Sequence, residues 1–287
     1  MTPREWLEKA KQEKFAIPAL NVGTFETFKG IVQAAVEARS PVIIESSTGE
    51  TKWMEAQNVL SLCRNFAKLY NVQIIVNLDH AYSYEDTRPG VEAGYDLIHF
   101  DGSKLPYSQN LEICKQIVPE IHAKGGLVEG EIDKIVGEGS EVHKEALDEA
   151  AIKTGYTDPE QAAQFVKESG VDIFASFFGN THGTFPGAQP PLDIELIKRI
   201  SQSVPCFLSM HGASGIPEDQ VRMAIQEGGI VKVNVNTDIR VAYRKALEKS
   251  LTETQDAAMY KVFPPVVDAV KMVALNWIDI CGSRNKI

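Results

Sequence analysis

The chain has 287 residues, 44% of them hydrophobic and 24% charged, the balance of a soluble globular protein with a sizeable core. Its net charge of −10, with no basic cluster, argues against nucleic acid and anionic membranes as partners. No apolar run reaches about 18 residues, so no transmembrane helix is expected.

The N-terminus, MTPREWLEKAKQEK, is amphipathic and charged, without the apolar stretch or small-residue cleavage site of a secretory signal. Cys63, Cys114, Cys206 and Cys281 are scattered, with no CxxC spacing, so reduced buried thiols in a cytoplasmic protein are expected. Short β-branched or aromatic runs then follow at even spacing: FAIPALNV from 15, PVIIESS from 41, VQIIVNLD from 72 and YDLIHFD from 95. Four more are GLVEGEI from 126, DIFASFF from 172, PCFLSMH from 205 and IVKVNV from 230. Between them lie segments of helical period, such as Phe28, Ile31, Val32, Ala35, Val36 and Leu111, Cys114, Ile117, Val118, Ile121. Asp158-Pro159 and Ile216-Pro217 mark helix starts.

Eight strands alternating with helices is the count of a (β/α)8 TIM barrel, although a doubly wound open sheet can carry as many. The polar residues favour the barrel. Asn21, Ser46-Ser47, Asp79-His80, Asp101, Glu131, His182, His211 and Asn234 all fall at or just after the C-terminal end of a strand, where barrel enzymes build their sites. With no proline-rich linker or low-complexity tract, a single barrel domain over residues 1–287 is expected. One connection is out of proportion: the loop over about 132–157 is long, and Gly137 and Gly139 would let its first part swing.

Three of the six histidines, His80, His182 and His211, sit at strand ends. A catalytic Zn²⁺ takes three protein ligands and keeps a position open for water or substrate, which three imidazoles on one rim suit. His122 on a helix and His143 in the long loop read as solvated, and His99 as packing one layer deeper than Asp101. Leu127, Glu129 and Glu131 share one parity, facing the barrel axis. Inward carboxylates need a cation or donors, so Glu131 and Asp101 are candidates for a second, more buried metal position. The alternative for Asp101, in the run DGS, is a helix cap.

Three segments rich in small residues, GNTHG from 179, HGASG from 211 and NVNTD from 234, suit close backbone approach and anion binding. Two of them follow strands 7 and 8, where barrels commonly bind phosphate. Lys232 and Arg240 flank the last and are candidates for a second phosphate; a solvated helix face is the alternative for Arg240.

Nearly end to end the chain resembles the class II, zinc-dependent ketose-bisphosphate aldolases, the fructose- and tagatose-bisphosphate aldolase type. The resemblance rests on LNVGTFET near 20, PVIIESSTG near 41, LDH at 78–80, DGSKLP from 101, VEGEI from 128, GNTHG, MHGASGIP from 210 and KVNVNTD from 232. It implies that His80, His182 and His211 ligate the catalytic zinc and that Asp101 and Glu131 hold its alternative buried position. Asp79 matches the acid that exchanges a proton with the C4 oxygen. Gly183, Gly212, Ser214, Asn234 and Thr237 match the cradle for the phosphate of the dihydroxyacetone half, with a monovalent cation (K⁺ or Na⁺) at the backbone around Gly183 and Gly212. Asn21 and Ser47 match sugar-contacting positions, and Arg240 an arginine that reaches the distal phosphate. The implied reaction is reversible cleavage of a ketose 1,6-bisphosphate, fructose 1,6-bisphosphate foremost, to dihydroxyacetone phosphate and glyceraldehyde 3-phosphate. A homodimer or homotetramer is also implied, and apolar residues around Phe263, Val266 and Val267 are compatible with such an interface.

This sequence departs from the family pattern at several positions. In VGEGSE, from 136, the usual loop base falls on Gly139, with Glu138 and Glu141 as the two alternatives. Ala81 follows the zinc-binding His where a glycine is usual, Asn236 replaces an aspartate that touches the sugar, and Ala213 replaces a glycine. Two rival functions share the residues: a zinc hydrolase, and a phosphosugar-binding protein that lost its base.

Overall fold

The computed structural model describes residues 1–137, 143–145, 147, 149–183, 185–187 and 189–287. The eight β-branched runs form β1 (Ile17–Asn21), β2 (Val42–Ser47), β3 (Ile74–Ala81), β4 (Leu97–Asp101), β5 (Leu127–Glu131), β6 (Ile173–Ala175), β7 (Phe207–Met210) and β8 (Ile230–Val235). They pair in parallel in sequence order, and β8 returns to β1, closing the barrel. Around it lie α1 (Pro3–Glu13), α2 (Phe25–Ala38), α3 (Thr48–Met54), α4 (Ala56–Tyr70), α5 (Tyr84–Ala93), α6 (Tyr107–Ala123) and α7 (Glu149–Lys153). The ring continues with α8 (Pro159–Ser169), α9 (Ile194–Ser203), α10 (Glu218–Gln226), α11 (Thr237–Glu253), α12 (Met259–Val262) and α13 (Pro264–Cys281). Among the described residues no helix is long and apolar enough to cross a membrane.

Alternation along each strand stacks the barrel interior in layers. At the bottom, Ile17, Ile43, Ile75, Leu97, Leu127, Ile173 and Phe207 pack with Trp6, Leu7 and Ala10 of α1, which plugs that mouth. Helix α1 starts there because Thr2 caps it: Thr2 Oγ1 accepts from Glu5 N at 3.3 Å, and Thr2 N donates to Glu5 Oε2 at 2.7 Å. The middle layer is polar and buried, with Glu45, Asn77, His99, Glu129, Ser209 and Lys232. The top layer holds Asn21, Ser47, Asp79, Asp101, Glu131, His211 and Asn234, all at the C-terminal rim.

Several sequence expectations need correction. Val266 and Val267 are buried within this chain, where α13 packs on α2, so they offer no outward face. Ser46 faces away from the axis and bonds Thr51 and Tyr95, leaving Ser47 alone at the rim. Val36 is exposed, at the edge of the apolar face of α2. The long loop contains α7, and Ile135, Ile152 and Phe177 bury one another in a small separate core. Gly139 lies outside the described residues. Gly137 is held in place: at φ +94°, a Cβ there would come within 2.1 Å of the carbonyl oxygen of His182, a conformation and approach only glycine allows.

Candidate active site

A cavity of about 450 Å³ opens at the C-terminal rim. It is lined by Asp79, His80, Asp101, Glu131, His182 and His211, and by Asn21, Ser47, Gly183, Gly212, Ser214, Asn234, Asn236, Thr237 and Arg240. Of the sequence-predicted site residues only Lys232, which does not line the cavity, and Glu138 and Glu141, which lie outside the described residues, are missing from this lining. Tyr82, Ser103, Lys104 and Lys134 also line it and were not anticipated.

Asp79 and His80 are neighbours on one strand, where successive side chains should face opposite ways. The β3–β4 register slips between Leu78 and Ala81, and His80 takes φ +50°, so both side chains reach the cavity. The imidazoles then converge. Ring centroids are 5.1 Å apart for His80 and His182, 4.7 Å for His80 and His211, and 6.1 Å for His182 and His211.

Two of the rings, His80 and His211, are oriented by a neighbour. His80 Nδ1 lies 2.9 Å from Asp101 Oδ2, and His80 Nε2 lies 3.1 Å from His211 Nδ1. His211 Nε2 lies 2.8 Å from Glu129 Oε1. The free edges of the two rings, Nε2 of His80 and Nδ1 of His211, therefore face each other. His182 comes from the loop after β6, where its backbone N donates to Val136 O at 2.8 Å. Its Nε2 is buried and has no hydrogen-bond partner among the described residues.

The electrostatics favour neutral imidazoles at two of the three positions. Burial, with the neighbouring His80 and His211, holds His182 well below the ordinary histidine range. Burial also pushes His211 down to about 3. At His80 burial acts in the same direction, but Asp79, Asp101 and Glu131 outweigh it and raise the pKa. Burial works against ionisation of Asp79, yet His80, His99, His211 and Lys232 keep its carboxyl well below the usual range. Glu131 is pushed up to about 7 by burial and by Asp101. Asp101 Oδ1 also accepts from Ser103 N at 3.1 Å and Ser103 Oγ at 2.6 Å, so it caps its loop and orients His80 at once.

Beneath the site lies a charged layer that the sequence reading placed only in part. Lys232, expected at the rim near a phosphate, is fully buried in the barrel and pairs with Glu129 at 2.7 Å. It cannot reach a ligand in the cavity, and it is the cation that Glu129 required. Its signal was parity, since it stands two residues before Asn234 on the same strand. The same rule finds Glu45 before Ser47 and Asn77 before Asp79. Asn234, expected in the phosphate cradle, lines the cavity but donates to both Glu45 oxygens at 3.1 Å and accepts from Lys232 at 2.9 Å. His99 does pack one layer below Asp101, 3.2 Å from Glu131 Oε2 and 3.8 Å from Asp79 Oδ1. His143 is not solvated: its ring stacks on Phe185 at 4.0 Å. His122 is exposed, but its Nε2 lies 2.8 Å from Asp172.

On the other side of the rim the backbone comes close. At Gly212, φ is +65° and a Cβ would lie 2.3 Å from the Thr181 carbonyl oxygen, so the loops after β6 and β7 meet there only because no side chain intervenes. Ser214 and Thr237 are buried beside them, and the N-terminus of the long helix α11 ends at the cavity. A helix N-terminus and exposed amides form a natural anion site.

Two groups of acids and imidazoles are close enough to hold a metal ion: Asp79, His80, His99 and His211, and His80, Asp101 and Glu131. A closed parallel barrel with such a cluster and a backbone-lined cleft on its C-terminal rim has the architecture of a barrel enzyme. The family model for fructose-bisphosphate aldolase class-II matches residues 1–286, so the chain belongs to that family. Its fold is shared with the YdjI aldolase from Escherichia coli K12, at 31% identity and TM-score 0.83, over 99% of this chain and 97% of that one. It is shared also with a putative fructose-1,6-bisphosphate aldolase from Coccidioides immitis, at 26% identity and TM-score 0.87, over 99% and 97%. The fructose-bisphosphate aldolase (Fba) from Campylobacter jejuni, at 22% identity, TM-score 0.81 and coverage of 99% and 95%, shows the same fold. The chain is an aldolase, a carbon–carbon lyase.

Proposed function

We propose that this aldolase is zinc-dependent and reversibly cleaves a ketose 1,6-bisphosphate, fructose 1,6-bisphosphate foremost, to dihydroxyacetone phosphate and glyceraldehyde 3-phosphate. The observation that carries the reading is the convergence of three imidazoles on one rim. Nε2 of His80 and Nδ1 of His211 face each other at 3.1 Å. His182, outside the two tightest groups, brings its ring within 5.1 Å of His80 with a buried Nε2 that has no hydrogen-bond partner among the described residues. Burial keeps His182 and His211 neutral, and carboxylates stand behind His80 and His211, features that suit a zinc donor set. His80, His182 and His211 would hold the ion, with Asp101 and Glu131 flanking a second position. When bound, zinc supplies a Lewis acid for the carbonyl and hydroxyl oxygens of the ketose, where negative charge develops on cleavage.

The remaining work falls to the protein's own groups. Asp79, kept ionised by the cations around it and held by Asn21 at 3.1 Å, takes and returns the proton at the C4 oxygen. Gly183, Gly212, Ser214 and Thr237 would bind the phosphate of the dihydroxyacetone half, with a monovalent cation against the backbone of the two glycines and Asn234 turned to Glu45 and Lys232 beneath them; Asn236 would meet the sugar. Asn21 and Ser47 would meet sugar hydroxyls. Glu138 or Glu141 would remove the proton from dihydroxyacetone phosphate in the condensation direction.

The test is a coupled assay of triose phosphate release from fructose 1,6-bisphosphate, with and without a chelator. Turnover is expected to vanish on chelation and return with zinc, and chelator-insensitive turnover would sink the zinc mechanism. Tagatose 1,6-bisphosphate, differing at C4, is run beside it to establish which epimer is preferred. Asp79→Ala is expected to lower turnover by a factor of about 10² to 10⁴ with zinc content intact. Loss of zinc in that variant would make Asp79 a ligand instead. Bound zinc and phosphosugar with no turnover on any ketose phosphate would leave a binding protein.

A further inference from the structure

Asp79, the proton carrier at the C4 oxygen, is tied to a chain of polar groups that ends on an arginine. Asp79 Oδ2 accepts from Asn21 Nδ2 at 3.1 Å, and Glu50 Oε2 accepts from the same amide at 3.2 Å. Glu50 Oε1 accepts from Arg240 at 2.5 Å. Asp79 has to touch the oxygen of the departing aldehyde, so the aldehyde half of the sugar lies towards Asn21 and Arg240, which line the cavity, with Glu50 joined to both just behind them. That direction rests on the aldolase reading; the ion pair does not.

Glu50 is the more buried member of the pair, with a side chain 14% exposed against 43% for Arg240. Its Oε2 also accepts from Ser47 N and Ser47 Oγ, each at 2.9 Å, closing the capping box of α3. A carboxylate fixed by that many donors is not pushed aside by an arriving anion. A phosphate drawn to Arg240 therefore meets a negative charge held directly beside it, and like charges placed together in a partly buried site are strongly unfavourable. A hydroxylated, uncharged tail meets no such opposition, and finds donors and acceptors in the same pair.

We infer that Glu50 is a specificity-determining residue: it offsets Arg240, so that a ketose 1-phosphate with an uncharged tail is accepted about as well as the corresponding 1,6-bisphosphate. Rejection of the second charge works here by a repulsive element built into the site.

The test compares hexitol 1-phosphate with hexitol 1,6-bisphosphate, neither of which can be cleaved, by calorimetry on the zinc-loaded protein. Glu50→Gln keeps the capping box and removes the charge. It is expected to tighten the bisphosphate by about tenfold or more while moving the monophosphate little. Adding Arg240→Met to Glu50→Gln should return the ratio to its starting value, which a purely structural role for Glu50 would not do. An unchanged ratio in Glu50→Gln overturns the inference, as does a double variant that keeps the raised preference. A shifted ratio with no cleavage of fructose 1-phosphate or fructose 1,6-bisphosphate overturns the aldolase reading and leaves this assignment standing. Failure to bind either hexitol phosphate overturns both.

Discussion

Glu45 illustrates how burial and charge compete at a single side chain. It is fully buried in the middle layer, where it accepts from Asn77 Nδ2 at 2.9 Å, with Lys232 Nζ 3.7 Å away. Burial, then the charge of Asp79, pushes its pKa from 4.5 up to about 8, against the pull of Lys232. The folded protein therefore retains a proton that the unfolded chain gives up. Stability from this group is full below the unfolded pKa of 4.5 and is lost as pH rises through about 8. Glu45→Gln has no charge to bury, so it should match the wild type near about pH 4 and exceed it in denaturant midpoint near about pH 9. A wild type that gains on the variant as pH rises would show that Lys232, rather than burial, controls Glu45. Lys232 itself shows why residue roles were only half legible. Its charge and its place beside NVNTD suggested the rim, whereas its parity with Asn234 sent it inside, and parity was the stronger constraint.

Between elements, α2 and α13 approach closely at Gly30. A Cβ on Gly30 would lie 2.8 Å from Val267 O and 2.8 Å from Val270 Cβ. In an isolated helix Gly→Ala would gain about 1 kcal/mol of propensity. Here the obstacle includes a backbone carbonyl, which cannot rotate away, and overpacking costs about 1–3 kcal/mol. Gly30→Ala is therefore expected to be neutral to destabilising, by up to about 2 kcal/mol, in thermal unfolding; a clear gain in Tm would mean that the helices part readily. The apolar stripes of α2 and α6 were readable because spacings of three and four encode which face is buried, and Ile31, Val32, Ile117 and Ile121 are indeed inside. The bulge at His80 was not readable. Sequence spacing specifies a side chain's face but not where the register slips, and the slip is what brings Asp79 and His80 into one cavity. Likewise α7 is short, and in the sequence it is only part of a long polar loop.

At the scale of the molecule, the barrel separates stability from chemistry along its axis. The bottom is an apolar plug of α1 against all eight strands, and the top is a concentration of acids and imidazoles that folding alone does not reward. A buried site with several close carboxylates, and a ring nitrogen that has no partner among the described residues, is costly without a cation, so an ion that binds only the folded barrel should stabilise the whole of it. At a hundred times its dissociation constant, zinc would add about 2.7 kcal/mol. For a chain of this length that corresponds to a rise in Tm of roughly 4–5 °C. The expected result is a zinc-dependent, chelator-reversible rise in melting temperature that His182→Ala abolishes. Leu7→Ala, at the opposite mouth, should lower the melting temperature of metal-free and zinc-loaded protein alike, a loss of about 2–5 kcal/mol with the zinc increment retained. If zinc instead failed to move the wild-type transition, or moved the His182→Ala variant equally, the three imidazoles would not be acting on one ion, and the metal-dependent reading of the rim would have to be abandoned.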